Sequence, residues 1–243
     1  MRVAIASDIH GNKQAFQAVI AAAEGDGADE LWCLGDLVGY GAEPDACVEL
    51  ARESCQVCLA GNHDLVVTGE IDIGDFSAGA AAAARWTQEH IAESSLEYLR
   101  GLRPAEPDRA PALFHASPRD PVWEYVLSPF QADDCFEAME ARVGAIGHSH
   151  VALYFADEGE AGAVGAHAPA STELDISTGR WLINPGGVGQ PRDGDPRAAW
   201  LLLDTEGWIA SWRRVEYPID EAAQAIERAG LPAMLAQRLY SGQ

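Results

Sequence analysis

Arg2-Val3-Ala4-Ile5-Ala6-Ser7-Asp8-Ile9-His10-Gly11-Asn12 decides how the chain folds. A short apolar run, Arg2–Ser7, predicts a strand, and it breaks at a polar turn carrying Asp8, His10 and a glycine. Lys13–Glu24 then places Phe16, Val19, Ile20 and Ala23 on one face at helical spacing. The same order of parts returns twice. Leu31–Leu34 predicts a second strand ending at Gly35-Asp36, and Pro44 opens a helix that Asp45–Glu53 continues. Gln56–Ala60 predicts a third strand, ending at Gly61-Asn62-His63-Asp64. Strand–helix–strand repeats of this kind predict a parallel sheet in an α/β fold.

Beyond this start the pattern changes. Phe76–Leu102 is alanine-rich and predicts a helical hairpin or lobe above the strand ends. Ala112–His115 and Val143–Gly147 predict strands, with a helix over Ser128–Ala141 between them. The last third predicts strands at Val151–Phe155, Leu174–Ser177, Trp181–Asn184, Ala199–Asp204 and Trp208–Val215. Two helices follow, near Glu221–Ala229 and from Pro232 to Leu239. No repeat or linker divides the chain, so residues 1–243 are expected to form one domain with a lid-like helical insertion near 70–105.

Sixteen basic against 38 acidic residues give a net charge of −22, with Lys13 the one lysine. Such a surface repels nucleic-acid backbones and anionic headgroups, so duplex nucleic acid and membranes are not expected partners. No apolar run reaches the roughly 18 residues a membrane helix needs. A secretory signal ending at Ala23 is not expected, because its removal would discard Asp8 and His10. Five cysteines cannot all pair within the chain. Cys55 and Cys58 lack a second Cys-x-x-Cys to complete a zinc site and read as buried structural thiols in a reducing cytoplasm.

The polar residues fall where strands end. Asp8 and His10 follow the first strand, Asp36 the second, Asn62-His63-Asp64 the third, His115 a later one, and His148 and His150 another. In an open α/β sheet, ligands bind beyond the carboxyl ends of the strands, so five turns converge on one edge. Five of the seven histidines lie in these turns; His90 and His167 are left over. One histidine after a strand is ordinarily a solvated loop residue, but packing does not explain five together with two aspartates.

Ser-Asp-Ile-His-Gly-Asn at 7–12, Gly-Asp-Leu at 35–37, Gly-Asn-His-Asp at 61–64, His115 and Gly-His-Ser-His at 147–150 resemble the ordered motif set of the calcineurin-like metallophosphoesterases. Gly35–Gly41, His115-Ala-Ser-Pro-Arg-Asp-Pro and Asn184–Pro196 are similar to a bacterial phosphodiesterase-like subgroup. Ala116 and Gly187 stand where that pattern leads one to expect glycine and serine, and Ser149 where threonine is usual. The resemblance implies a sandwich of two facing mixed β-sheets flanked by helices.

It also implies roles. Asp8, His10 and His150 would hold one divalent metal, and Asn62, His115 and His148 a second, with Asp36 bridging. Imidazole, carboxylate and amide oxygen suit Mn first, with Fe, Ni, Co or Zn as alternatives. The implied reaction is hydrolysis of a phosphodiester or phosphomonoester of a small substrate such as a nucleotide, by attack of a metal-bound hydroxide. His63 would protonate the leaving group and Asp64 would fix its orientation, with turn capping as the competing reading for Asp64. Asn12 reads as a loop cap or a site residue. Arg119, Arg192 and Arg197 are candidate phosphate contacts, against the ordinary reading of surface arginines as solvent-facing, and substrate identity is expected to lie in the lid and the Arg192–Pro196 loop. The rival reading is a metal-binding scaffold of the same fold with little turnover; the presence of His63 favours the enzyme.

Overall fold

In the computed structural model, which describes residues 1–243, the opening strand β1 (Arg2–Ala6) is buried from Val3 onward. Then come α1 (Lys13–Gly25), β2 (Glu30–Cys33), α2 (Pro44–Ser54), β3 (Cys55–Cys58), α3 (Asn62–Thr68), α4 (Ala78–His90) and α5 (Glu93–Arg100). The middle comprises β4 (Ala105–Glu106), β5 (Ala112–Phe114), α6 (Pro129–Ala138), β6 (Val143–Ala145), β7 (Ala152–Asp157), β8 (Ala163–His167) and β9 (Glu173–Asp175). The chain closes with β10 (Arg180–Pro185), β11 (Ala198–Asp204), β12 (Ile209–Val215), α7 (Ile219–Arg228) and α8 (Ala233–Leu239).

The strands form two six-stranded sheets, ordered β3-β2-β1-β11-β12-β9 and β4-β5-β6-β10-β7-β8. The expected parallel sheet accounts for β3, β2 and β1 alone; β11 pairs antiparallel with β1. In the second sheet β5, β6 and β10 run parallel. Both sheets are therefore mixed, as the family resemblance implied. Successive side chains of a strand point to opposite faces, and β1 shows what each face meets. Val3 and Ile5 pack between the sheets with Trp32, Leu34, Leu113 and Ile183. Ala4 and Ala6 face the helices, where Phe16, Val19 and Val48 pack. Burying a side chain such as Phe16 or Val19 contributes about 1.5–3 kcal/mol. The outer face of the second sheet packs on α6 through Phe136 and Phe114.

Three local departures have physical causes. Asn62–Thr68, expected as part of a turn, is a two-turn helix: its consecutive Leu65, Val66 and Val67 carry no helical period, but Asp64 accepts from the Gly61 amide at 2.9 Å and closes the first turn. The helical hairpin breaks at Ile91-Ala92, whose backbones are extended. It is tied to α2 because Asp45 accepts from the Ala92 amide and the Ser95 hydroxyl. Ala83 and Leu99 join the same apolar core as α1 and α2, while Phe76 and Ala80 at its near end border the cleft described below. Strand β8 was not expected, since Ala163–His167 has little apolar alternation and is held by pairing with β7. All five cysteines are free thiols, with Cys33 and Cys58 opposite each other on β2 and β3.

Candidate metal centre

The turns after β1 and β2 interlock. Backbone amides of Asp8, His10 and Gly11 donate to the carbonyls of Gly35, Asp36 and Leu37 at 3.0, 2.8 and 2.9 Å. That zipper is possible because Asp8, His10, Asp36 and Tyr40 adopt left-handed backbones, as do His148 and His150 after β6. Six of the eight non-glycine residues with positive φ thus lie at one edge. Each such conformation costs of order 1–3 kcal/mol and persists where the surroundings over-determine it. Gly61 is needed for close approach: a Cβ there would stand 2.0 Å from Asp36 Oδ1.

These turns bring the expected residues together. Asp8, His10, Asp36 and His150 form one group of potential metal ligands, and Asp36, His115 and His148 a second, so Asp36 belongs to both. Asn62 Oδ1 lies 3.2 Å from His115 Nε2, beside the second group. All seven are buried.

Carbonyl contacts set the ring tautomers. Nδ1 of His10, His115 and His150 lies 3.1, 2.9 and 2.6 Å from the carbonyls of Val38, Leu34 and Gln190. Only a protonated nitrogen satisfies a carbonyl, so Nε2 carries the lone pair in each. His148 is reversed, its Nε2 3.2 Å from the Trp123 carbonyl, which leaves Nδ1 as the donor atom. The 3.1 Å contact between Nε2 of His10 and Nε2 of His150 therefore sets two lone pairs against each other.

The carboxylates have the complementary defect. Asp8 Oδ2 accepts from the His148 amide and Asp36 Oδ1 from the His63 amide, but Asp8 Oδ1 and Asp36 Oδ2 are buried without a hydrogen-bond partner. Asp36 Oδ2 lies 3.5 and 3.7 Å from Nε2 of His10 and His115, and Asp8 Oδ1 lies 3.4 Å from Nε2 of His150. Burial first, with the Asp36 charge adding to it, pushes the Asp8 carboxyl up to about 7. Burial and the Asp64 charge hold Asp36 well above the carboxylate range. Burial pushes His10, His63, His148 and His150 well below the usual imidazole value. Orphaned carboxyl oxygens facing neutral imidazole lone pairs are what a divalent cation satisfies, so the donor set fits a metal.

His63 and Asp64 sit in the first turn of α3. The His63 ring packs against Tyr40, Phe76 and His10 at centroid distances of 4.5, 4.5 and 4.8 Å, and its Nδ1 has no partner. Asp64 does not bond to that ring; it accepts from the amides of Gly61, Leu37 and Val38 at 2.9, 3.3 and 3.1 Å. Asn12 caps α1 by accepting from the Ala15 amide, and its Nδ2 donates to the Gly189 carbonyl. A cleft of about 180 Å³ opens over the ligands, bordered by Tyr40, Phe76, Trp123, Tyr125 and Arg192. Of these five, Arg192 alone is a candidate phosphate contact in the sequence, together with Arg119 and Arg197. Tyr40 carried a signal, lying four residues after Asp36 in a glycine-flanked turn; the others come from loops that approach only in three dimensions. Arg119 pairs with Asp134 and Glu124, and Arg197 with Asp195, whereas Arg192 faces the cleft.

Residues 1–207 match the model of the calcineurin-like phosphoesterase superfamily domain. The chain belongs to the calcineurin-like phosphoesterase superfamily. An uncharacterised protein of Methanocaldococcus jannaschii is 36% identical over 99% of this chain and 98% of its own length. The crystal structure of a metallophosphoesterase from Sphaerobacter thermophilus superposes with a TM-score of 0.91 at 38% identity, covering 100% of this chain and 99% of that one. A hypothetical protein from Pyrococcus horikoshii shares the fold, with a TM-score of 0.77 at 20% identity over 100% and 98% of the two chains. As a member of this superfamily the chain is a phosphoester hydrolase with a buried His/Asp metal-binding cluster. No helix of this phosphoesterase is long and apolar enough to cross a membrane.

Proposed function

We propose that the cleft hydrolyses phosphodiester or phosphomonoester bonds of small substrates, nucleotides among them, using two divalent cations. The observation that carries this reading is the sharing of Asp36 between two ligand groups, with its Oδ2 unpartnered between His10 and His115. Asp8, His10 and His150 would hold one ion; Asn62, His115 and His148 the other; Asp36 both. Manganese is the first choice by the family resemblance, and nitrogen and oxygen donors without thiolate also suit Fe, Co, Ni and Zn. When bound, such a pair clamps phosphoryl oxygens and lowers the pKa of a water.

The remaining work falls to this chain's own residues. His63 borders the cleft beside Asp36 and Asn62 and has an unpartnered ring nitrogen, which supports a role as general acid to the leaving oxygen. Asp64 is a positioning residue, since its three backbone contacts hold the start of α3 and the turn after Asp36 in one frame. The aromatic walls exclude water, and the net charge of −22 supports small substrates over duplex nucleic acid. An odd number of unpaired thiols supports a cytoplasmic location.

The test is a metal-by-substrate panel. Protein treated with chelator should lose hydrolysis of nitrophenyl and nucleotide phosphoesters and regain it on refilling with Mn²⁺. Chelated protein as fast as refilled protein would overturn the reading.

A further inference from the structure

Arg192 is the one cationic side chain bordering the cleft. Two arginines tied to the same loop differ from it in one respect. Arg197 grips Asp195 with Nε and an Nη, and Arg214 pairs with Asp193, so each is neutralised by a carboxylate of the same loop. Arg192 has only neutral partners, and distant ones: Tyr40 Oη at 3.4 Å and Gln190 Oε1 at 3.3 Å, with its guanidinium 5.8 Å from the centre of the Tyr40 ring. Its Nε is buried with no partner at all. In a chain with 38 acidic and 16 basic residues, a half-buried guanidinium without a carboxylate is held apart from abundant counter-charge.

The backbone around it is fixed. The Arg192 amide donates to the His150 carbonyl at 3.1 Å, and the Gln190 carbonyl lies 2.6 Å from His150 Nδ1, so one loop orients the ring and carries the arginine. Asp193 accepts from the Ala152 amide, and the Gly194 amide donates to the Gly242 carbonyl, pinning the loop on its far side. A guanidinium presents a planar fork of donors matched to phosphate oxygens, and here the fork is preset beside the ligand groups.

We propose that Arg192 is a substrate-binding residue that holds a non-bridging oxygen of the phosphoryl group undergoing hydrolysis. The proposal rests on reading the cleft as the phosphoester site. It assigns to the Arg192–Pro196 loop the job of linking substrate recognition to the orientation of His150.

The test uses the full chain loaded with Mn²⁺ and inorganic phosphate as the binding probe. Arg192→Gln should weaken phosphate binding by calorimetry about 10- to 100-fold. KM for a nitrophenyl phosphoester should rise on the same scale, with metal content unchanged. Arg192→Lys, which keeps the charge and loses the fork, should fall between. Guanidinium salt added to Arg192→Ala should restore part of the lost kcat/KM, and sodium chloride should not, a response that a merely structural arginine does not give. Arg197→Gln, the control, should match wild type. Unchanged phosphate affinity and KM in Arg192→Gln would overturn the proposal, and loss of bound metal in that variant would overturn it in favour of a structural role. A wild-type protein inert towards every phosphoester would sink the proposed function, while the phosphate titrations would still decide whether Arg192 binds the anion.

Discussion

The two sheets contribute differently to the metal centre. The first supplies both carboxylates, Asn62 and His10 from the turns after β1, β2 and β3. The second supplies His115, His148 and His150 after β5 and β6, and no carboxylate. Each ligand group draws on both sheets: Asp8, His10 and Asp36 meet His150, and Asp36 meets His115 and His148. A cation held there would add to a seam made by apolar side chains such as Val3, Trp32, Leu113 and Ile183 and by hydrogen bonds such as that from the His148 amide to Asp8. A cation bound at this edge would therefore also be a cross-link, and its negative ligands would come from one side only.

Asp36→Asn attacks that asymmetry most directly. Losing the shared charge should empty both groups of metal and take hydrolysis to background. Asp8→Asn should leave Asp36, His115, His148 and Asn62 to retain about one ion per chain. Metal analysis of the two purified variants checks this, and equal metal content in both would break the idea of a shared carboxylate.

His63 belongs to the first sheet's side yet is assigned no metal. His63→Ala should keep both ions while kcat falls roughly 10²–10⁴-fold for an alkoxide leaving group. The loss should shrink towards nothing for a nitrophenolate, which departs without a proton. A loss of the same size for every leaving group would remove the acid role.

Metal removal should loosen the cross-link, and more so at high pH. Folding raises the Asp8 carboxyl from its ordinary 3.8 to about 7 in metal-free protein. The folded state therefore holds a proton that the unfolded chain has already released, and the stability this contributes is lost as pH rises from about 4 to 7. Bound metal removes the defect and displaces the proton. At a free metal concentration near 100 Kd the stabilisation is about 2.7 kcal/mol, or roughly 5–10 °C in Tm for a domain of this size. Scanning calorimetry should show a larger difference between loaded and chelated protein at pH 8 than at pH 5, and a difference independent of pH would argue against these carboxylates.

The first sheet's side of this comparison was largely legible in the sequence, because strand, glycine-bearing turn and helix follow one another and each ligand sits directly after its strand. The second sheet's strands were also locatable. Their order, with β10 between β6 and β7, was not, because pairing among short mixed strands depends on contacts far apart in sequence. Trp123 and Tyr125 were hidden for the same reason, and Arg192 could not be told from Arg119 and Arg197, since nothing local distinguishes a cleft-facing loop residue from a solvated one. The turn at 62–64 was misjudged because a helix of two turns held by Asp64 shows no periodicity.

The smallest effect concerns one of the covalent routes between the sheets, the loop from β10 to β11 that passes Gly189. Asn12 joins it to the first sheet's side: its Oδ1 caps α1 through the Ala15 amide at 3.1 Å, and its Nδ2 donates to the Gly189 carbonyl at 2.9 Å. The Gly189 amide in turn donates to the Asp8 carbonyl at 2.9 Å, so this link reaches the backbone of a proposed metal ligand. Capping and bridging are separable by substitution. Asn12→Ala loses both and should cost about 1 kcal/mol for the cap alone, or roughly 2–4 °C in Tm. Asn12→Asp keeps the cap and improves the charge at the helix start, so a residue that only caps would tolerate it or gain. A residue that also bridges would suffer, because aspartate sets a buried anion against the Gly189 carbonyl and removes its donor. Asn12→Asp is therefore expected to melt below Asn12→Ser in the chelated protein. An Asn12→Asp variant as stable as wild type would reduce Asn12 to a helix cap, leaving the Gly189 amide to hold this loop to Asp8 without it.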